Sequence, residues 1–237
     1  MENNLIKYPY GLDDPYSIIE LISYTEMVGN KYGGDQIPVL AARVSHANAG
    51  KTGEDITADL KLLNYLAANK HTSPFEHQTA TFRVVAPLFV FREWHRHRTQ
   101  SYNEVSMRYS SDPVGRFYVP KKFRMQGTRN KQAGMGDLED SLSFQAEDIL
   151  RASYNNSLSA YNNLLDIGVC REQARAVIPV GNYSEMYASA NLLNWFKFWL
   201  LRADNNAQWE IRQYAYAIDE ILSEIYPKSW GALKNNV

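Results

Sequence analysis

The chain has 237 residues, with 25 Lys plus Arg against 26 Asp plus Glu and a net charge of −1. At ~150 residues per domain, this length predicts one large domain or two small ones, with enough chain to bury a core without staples. A composition of 45% hydrophobic and 22% charged residues excludes a disordered tail, and the charge balance excludes a generally basic nucleic-acid binder while leaving room for a local basic site. One cysteine, Cys170, excludes an internal disulfide framework and every multi-cysteine zinc pattern, and suits a reducing compartment. Met1 to Leu12 carries neither a positive n-region nor an apolar h-region. The apolar stretch Leu192 to Leu201 is interrupted by Asn194 and Lys197 and is too short to span a bilayer. The expectation is a soluble, cytoplasmic protein with no membrane partner.

No repeat and no Pro/Ser/Gly-rich linker divides the chain, so residues 1–237 are read as one domain. Asp14-Pro15 predicts the start of a first helix with Ile18, Leu21 and Ile22 on its apolar face. Ile37 to Val44 is a short apolar stretch of open type. Ile56, Leu60, Leu63, Leu66 and Ala67 recur at helical spacing. Ser73-Pro74-Phe75-Glu76 reads as a capping box opening a helical turn that carries His77. Thr79 to Val85 alternates as a strand, and Pro87 opens a helix through Leu88, Phe91 and His95. Arg124 to Gly136 is expected to be a long loop. Glu139 to Ile167 is the longest predicted helix, ended by Gly168, with Leu142, Ala146, Ile149, Leu150, Leu158, Tyr161 and Leu165 on its buried stripe. Glu185 to Arg202 and Ala207 to Ile225 are expected to complete a helical carboxyl half, with Asn205 and Gln208 placed to cap the second. Helices with a few strands in the first half predict an α+β fold.

The five histidines, His46, His71, His77, His95 and His97, all lie between residues 46 and 97. Arg92-Glu93-Trp94-His95-Arg96-His97-Arg98 places five potentially cationic groups in seven residues, and Tyr102, Arg108 and Tyr109 extend the mixture. Arginine suits planar, bidentate recognition of phosphates and carbonyl-rich bases, and the aromatic rings offer stacking surfaces. Four readings compete. A metal hydrolase using His95 and His97 with His71 or His77 is opposed by the flanking arginines, which repel a cation. A serine hydrolase built on Ser106 lacks the G-x-S-x-G elbow. An RNA-binding module gains little electrostatic affinity from one patch on a neutral chain. An enzyme acting on phosphorylated, base-bearing small molecules uses every feature, whereas the bland alternative is a charge run solvated on the surface.

Arg96-His97-Arg98 followed by seven residues and Ser106 resembles the Arg-His-Arg-x7-Ser signature of the flavin-dependent thymidylate synthases. Ser73-Pro74-Phe75-Glu76-His77 resembles a family motif before it. Arg171-Glu172-Gln173-Ala174-Arg175 with Pro179, then Leu201-Arg202-Ala203-Asp204 with Ala207-Gln208-Trp209-Glu210-Ile211, resemble two after it. The resemblance implies a mainly helical domain around a small, largely antiparallel sheet, assembled as a homotetramer with shared active sites. It implies methylation of dUMP to dTMP, with 5,10-methylenetetrahydrofolate as carbon donor, NADPH as reductant and hydride passing through FAD, and neither nucleic acid nor metal in the reaction. The chain has no G-x-G-x-x-G fingerprint, so FAD is not expected to be held in the Rossmann manner.

The same resemblance implies roles. Arg202 is the catalytic cation facing the uracil. Glu93, Arg96, Glu104, Ser106, Arg108 and Arg175 join it as dUMP-binding residues, Ser106 for binding and not as a nucleophile. Thr79, Arg96, His97, Arg98, Glu104 and Asn191 fall on FAD positions, and Leu193 and Lys197 stand where some members place Arg and Asn. His77 matches a histidine near flavin and folate, although alone it reads as a core histidine. Cys170 is read as a small residue at a helix end, and Trp195, Phe198 and Trp199 as core or subunit interface. Two further hypotheses remain: a flavoprotein that oxidises NADPH without methylating dUMP, and a non-enzymatic nucleotide- or RNA-binding module.

Overall fold

A computed structural model describes residues 5–9, 12, 14–29, 33–45, 47, 51–128 and 134–236. Expectations for His46 and for the middle of the 124–136 stretch fall outside the described residues. The centre of the molecule is an antiparallel five-stranded sheet in the order β1 (Ile6–Lys7), β2 (Ile18–Tyr24), β3 (Thr79–Pro87), β7 (Tyr183–Asn191) and β4 (Ser101–Glu104). Helices α1 (Ile37–Val44), α2 (Ile56–Ala68), α3 (Leu88–Trp94), α4 (Asp140–Asp166), α5 (Arg171–Ala174), α6 (Leu192–Arg202), α7 (Trp209–Ile225) and α8 (Pro227–Lys234) surround it, and β5 (Arg124–Gln126) pairs with β6 (Gly134–Asp137) as a separate hairpin. The chain is therefore a single α+β domain.

Period-two alternation builds the sheet. Thr79 to Pro87 of β3 pairs residue by residue with Asn191 to Tyr183 of β7. Ala80, Phe82, Val84, Met186, Ala188 and Ala190 are buried on one face, joined by Ile19 from β2. Arg83 on the other face donates to Glu20 and to both oxygens of Glu185, and Thr81 shares a hydrogen bond with Ser189. The apolar face meets an aromatic cluster. Trp195 stands edge-on to Phe82 at 4.9 Å and donates its indole N–H to the Ala80 carbonyl, while Trp94 packs on Phe198 at 4.5 Å. Tyr214 of α7, fully buried, donates to the Val85 carbonyl and to Ser17 Oγ.

Two expected helices are corrected. Asp14 does not cap a helix: its Oδ1 accepts from the Tyr16 and Ser17 amides, a turn that feeds Ile18 to Tyr24 into β2. The β-branched Ile18 and Ile19 find a better site against Val85 and Val84 of β3 than on a helix. Glu185 to Asn191 is strand, so the predicted helix over 185–202 shortens to α6. Asn191 ends β7 and caps α6, its side chain accepting from the Asn194 amide. Pairing with β3 and β4 on both sides outweighs the helical preference of the alanines and Met186.

Other corrections are local. The turn Ser73–His77 forms as a 3-10 helix, with no side-chain capping bond. Gln208 precedes α7 without capping it through its side chain, and Asn205 accepts from Arg212 instead. α4 forms nearly as expected and Gly168 ends it at φ +92°. Its stripe is only partly covered: Tyr154 and Tyr161 are buried, while Leu142 and Ile149 are exposed. α4 packs on α5 and the 3-10 turn Arg175–Val177, and on the 115–118 segment, where Tyr154 stacks on Phe117 at 4.4 Å and donates to the Tyr118 carbonyl. Among the described residues no helix is long and apolar enough to cross a membrane.

Removal of the Tyr214 hydroxyl strips the Val85 carbonyl of a buried donor. Tyr214→Phe is expected to lower stability by about 1–2 kcal/mol, read as a lower urea midpoint with an unchanged denaturant slope.

Candidate active site

The site is assembled where two helices end. Pro87 terminates β3 in extended backbone (φ −61°, ψ 146°) and begins α3, whose first amides donate to the Asn182 and Val180 carbonyls. α3 buries Val90, Phe91 and Trp94, which turns Glu93 toward the open side. After Trp94 the chain leaves the helix in a tight turn, with the His97 amide donating to the Trp94 carbonyl. Tyr102 on β4 fixes that turn by donating to the carbonyl of His97 at 2.7 Å and of Trp94 at 3.2 Å. Burial pushes its hydroxyl up to about 12, so it remains a donor at neutral pH.

Arg202, in the last turn of α6, enters this turn from the other side and is 8% exposed. Its Nε donates to His97 Nε2 at 2.9 Å, Nη1 to Glu93 Oε2 at 2.7 Å and Nη2 to the Glu93 carbonyl at 2.6 Å. A guanidinium has five N–H groups, so one on each Nη is left after these three bonds. A cation suits a helix C-terminus, but these bonds go to another segment and not to the carbonyls of α6. The arrangement therefore does more than cap a helix.

His97 must be neutral to accept from a guanidinium. Burial, reinforced by the Arg202 charge and opposed by Glu93, lowers its pKa to about 4. With Nε2 accepting, the hydrogen-bond network assigns the ring proton to Nδ1. The ring stands edge-on to Phe198 of α6 at 4.8 Å.

Glu93, Arg96, Arg98 and Arg202 line a cleft of about 1350 Å³, with the β5–β6 hairpin and the start of α7 on its other sides. That exceeds the ~300–1,000 Å³ of an ordinary small-molecule pocket, which gives room for more than one ligand. Six Lys/Arg against three Asp/Glu line it, a local excess of positive charge in a protein of net charge −1. Arg96 and Arg98 are exposed in this cleft.

The remaining expected site residues form two further groups. In the first, Arg108 pairs with Glu172 at 3.0 Å and its amide donates to Ser106 Oγ, while Arg175 Nε donates to the Glu172 carbonyl. The Arg108–Glu172 pair is half exposed and of little value to stability, about 0–1 kcal/mol. In the second, Thr79 lies opposite Asn191 at the end of the sheet and hydrogen-bonds Thr25. Lys197 and His77 are exposed, which corrects the reading of His77 as a core histidine. Leu193 is 6% exposed and belongs to the core, so its side chain offers no ligand surface. Glu104 is exposed on β4, and Cys170 is exposed at the start of α5. One chain thus presents three separate groups, of which only Glu93, Arg96, Arg98 and Arg202 share the cleft. Arg124, Trp209 and Glu210 of the cleft wall had no role assigned from the sequence. Glu210 stands in a recognised motif, but a contact to Arg124 across 86 residues leaves no sequence signal.

Among the described residues no group of three or more His, Cys, Asp or Glu side chains is placed to hold a metal ion. The folded pKa of His97 lies below its ordinary value of 6.5, so the unfolded chain takes up its proton first as pH falls. This contribution leaves stability unchanged above about pH 7 and lowers it as pH drops from about 6.5 toward 4. Urea unfolding at stepped pH values is expected to show that loss in the parent and a shallower one in His97→Gln, which keeps an acceptor but does not titrate.

Residues 20–228 match the family model described as thymidylate synthase complementing protein. A flavin-dependent thymidylate synthase of Thermus thermophilus is 45% identical over 208 residues, 88% of this chain and 74% of the relative. That of Thermosipho africanus is 39% identical over 219 residues, 92% of each. Among solved structures, the UMP/dUMP methylase PolB from Streptomyces cacaoi, bound with 5-Br dUMP, superposes with a TM-score of 0.81 at 32% identity, covering 92% of this chain and 94% of that one. With a match that spans both halves of the Arg202–His97 contact, the chain belongs to the thymidylate synthase complementing proteins, the flavin-dependent thymidylate synthases.

Proposed function

We propose that this protein methylates dUMP to dTMP, with 5,10-methylenetetrahydrofolate as carbon donor, NADPH as reductant and FAD as resident cofactor. The observation that carries the proposal is Arg202, held by Glu93 and His97 at the wall of a cationic cleft. FAD fits the cationic groups there: Arg96 and Arg98 are exposed and suited to its anionic portion. Held by Arg96 and Arg98, FAD would supply the redox chemistry, as hydride carrier between NADPH and the pyrimidine.

The protein's own contribution is electrostatic and positional. A guanidinium pre-oriented by three acceptors stabilises negative charge on the uracil ring without reorganising when that charge develops. Glu93 holds Nη1 through its carboxylate and Nη2 through its carbonyl. His97, neutral, adds no competing positive charge at the ring. Ser106, Arg108 and Arg175 are assigned to dUMP, with Arg96, Glu93 and Glu104. Thr79, His97, Arg98, Glu104, Asn191 and Lys197 are assigned to FAD, with only the backbone of Leu193 able to take part, and His77 lies toward flavin and folate.

The separation of these groups on one chain supports sites completed by neighbouring chains. The exposed Leu142 and Ile149 on α4 support burial of that helix in an assembly, which we take to be a homotetramer. No membrane or nucleic acid enters the reaction.

Arg202→Ala is expected to lower dTMP formation by about 10²–10³-fold or more, and Arg202→Lys to recover little of it because an ammonium cannot make the forked contacts. Product formation by chromatography, beside a melting curve showing both variants folded, checks this; turnover near that of the parent would contradict the role of Arg202. NADPH oxidation without any dTMP from the parent would identify a flavoprotein oxidase instead.

A further inference from the structure

We infer that Arg124 is a positioning residue, pinning the β5–β6 hairpin as the wall of the nucleotide cleft through Glu210 and Trp209. The inference rests on the cleft being the site of the proposed reaction. Among the described residues, β5 and β6 are exposed along their length and pair only with each other, and a two-stranded ribbon without a buried face is marginal by itself. Its base is closed by the Leu138 amide donating to the Phe123 carbonyl at 2.7 Å and by Lys122 pairing with Asp137 at 3.0 Å. Neither contact ties the ribbon to the body of the protein.

Arg124 supplies such a tie. Its Nη2 bonds Glu210 Oε1, whose side chain is 6% exposed, and its guanidinium carbon lies 5.0 Å from the centre of the Trp209 ring. Glu210 lies in the first turn of α7, beside the positive end of the helix dipole. Gly134, across the ribbon, makes room: a Cβ there would meet the Arg124 Cβ at 2.9 Å. Arg124, Met125, Gln126 and Gly134 line the same cleft as Glu93 and Arg202. Loss of Arg124 leaves a buried carboxylate uncompensated and frees the ribbon, so the cleft loses a wall while the Arg202 contacts stay in place.

The test compares Arg124→Gln and Arg124→Lys with the parent. Hydrogen exchange without nucleotide is expected to quicken at least about tenfold across residues 122–126 and 134–137 in Arg124→Gln, and elsewhere to hold. In the flavin-loaded enzyme the KM for dUMP is expected to rise about tenfold with kcat falling less than about threefold, and Arg124→Lys to recover part of the loss. Unchanged hairpin exchange in Arg124→Gln, or a fall in kcat at constant KM, overturns the inference. If Arg124→Gln fails to fold, the same criteria apply to Arg124→Lys at reduced amplitude. If the parent makes no dTMP, the synthase reading fails, while the exchange comparison still decides whether Arg124 pins the hairpin.

Discussion

A nearly buried guanidinium has to be met by acceptors, and the structure around Arg202 is arranged to meet it. Three N–H groups are taken by a carboxylate, a main-chain carbonyl and an imidazole, all within Glu93 to His97. The cost of burying the charge is offset only while those acceptors stay in place. This fixes where α3 stops, how the following turn runs, and how α6 lies against both. Trp94 and Phe198, packed at 4.5 Å, are the apolar counterpart of the same junction, so core packing and site geometry constrain one another.

The same contact links charge to protonation. His97 serves as an acceptor only when neutral, and its burial beside Arg202 keeps it so well below the ordinary histidine range. In the Arg-His-Arg tripeptide the central residue turns inward while Arg96 and Arg98 remain exposed in the cleft. Neighbours in sequence thus divide into one group that orients the buried cation and two that extend positive charge toward ligands. A net charge of −1 hides this local field, which matters for anionic substrates because potential is set by placement, not by totals.

The α+β class, α2, β3, α3, α4 and α7 were legible because their periodicity or punctuation is local. β2 and β7 were not. Asp14-Pro15 has the composition of a helix start, and the Glu, Met and Ala of 185–190 favour helix; only strand partners on β3, 56 to 67 residues away for β2 and 96 to 112 residues away for β7, make these segments strands. On α4 the apolar stripe was visible, but periodicity states that a face is apolar and not what covers it. The site shows the same division. The family resemblance marked Glu93 as a dUMP-binding position outside the ordered motifs, which singled out His97 and Arg202. Their contact joins residues 105 apart, and the tie from Arg124 to Glu210 joins two segments whose own sequences give no reason to meet.

The orientation of Arg202 depends on a neutral His97 accepting from it. Nitrogen NMR of the imidazoles in ¹⁵N-histidine-labelled protein, with the His97 signal assigned by its absence from His97→Gln, tests this most directly. The predicted result is an Nδ1–H tautomer that persists through pH 6.5 and titrates only near about 4. An Nε2–H tautomer, or protonation at the ordinary value of 6.5, would contradict it.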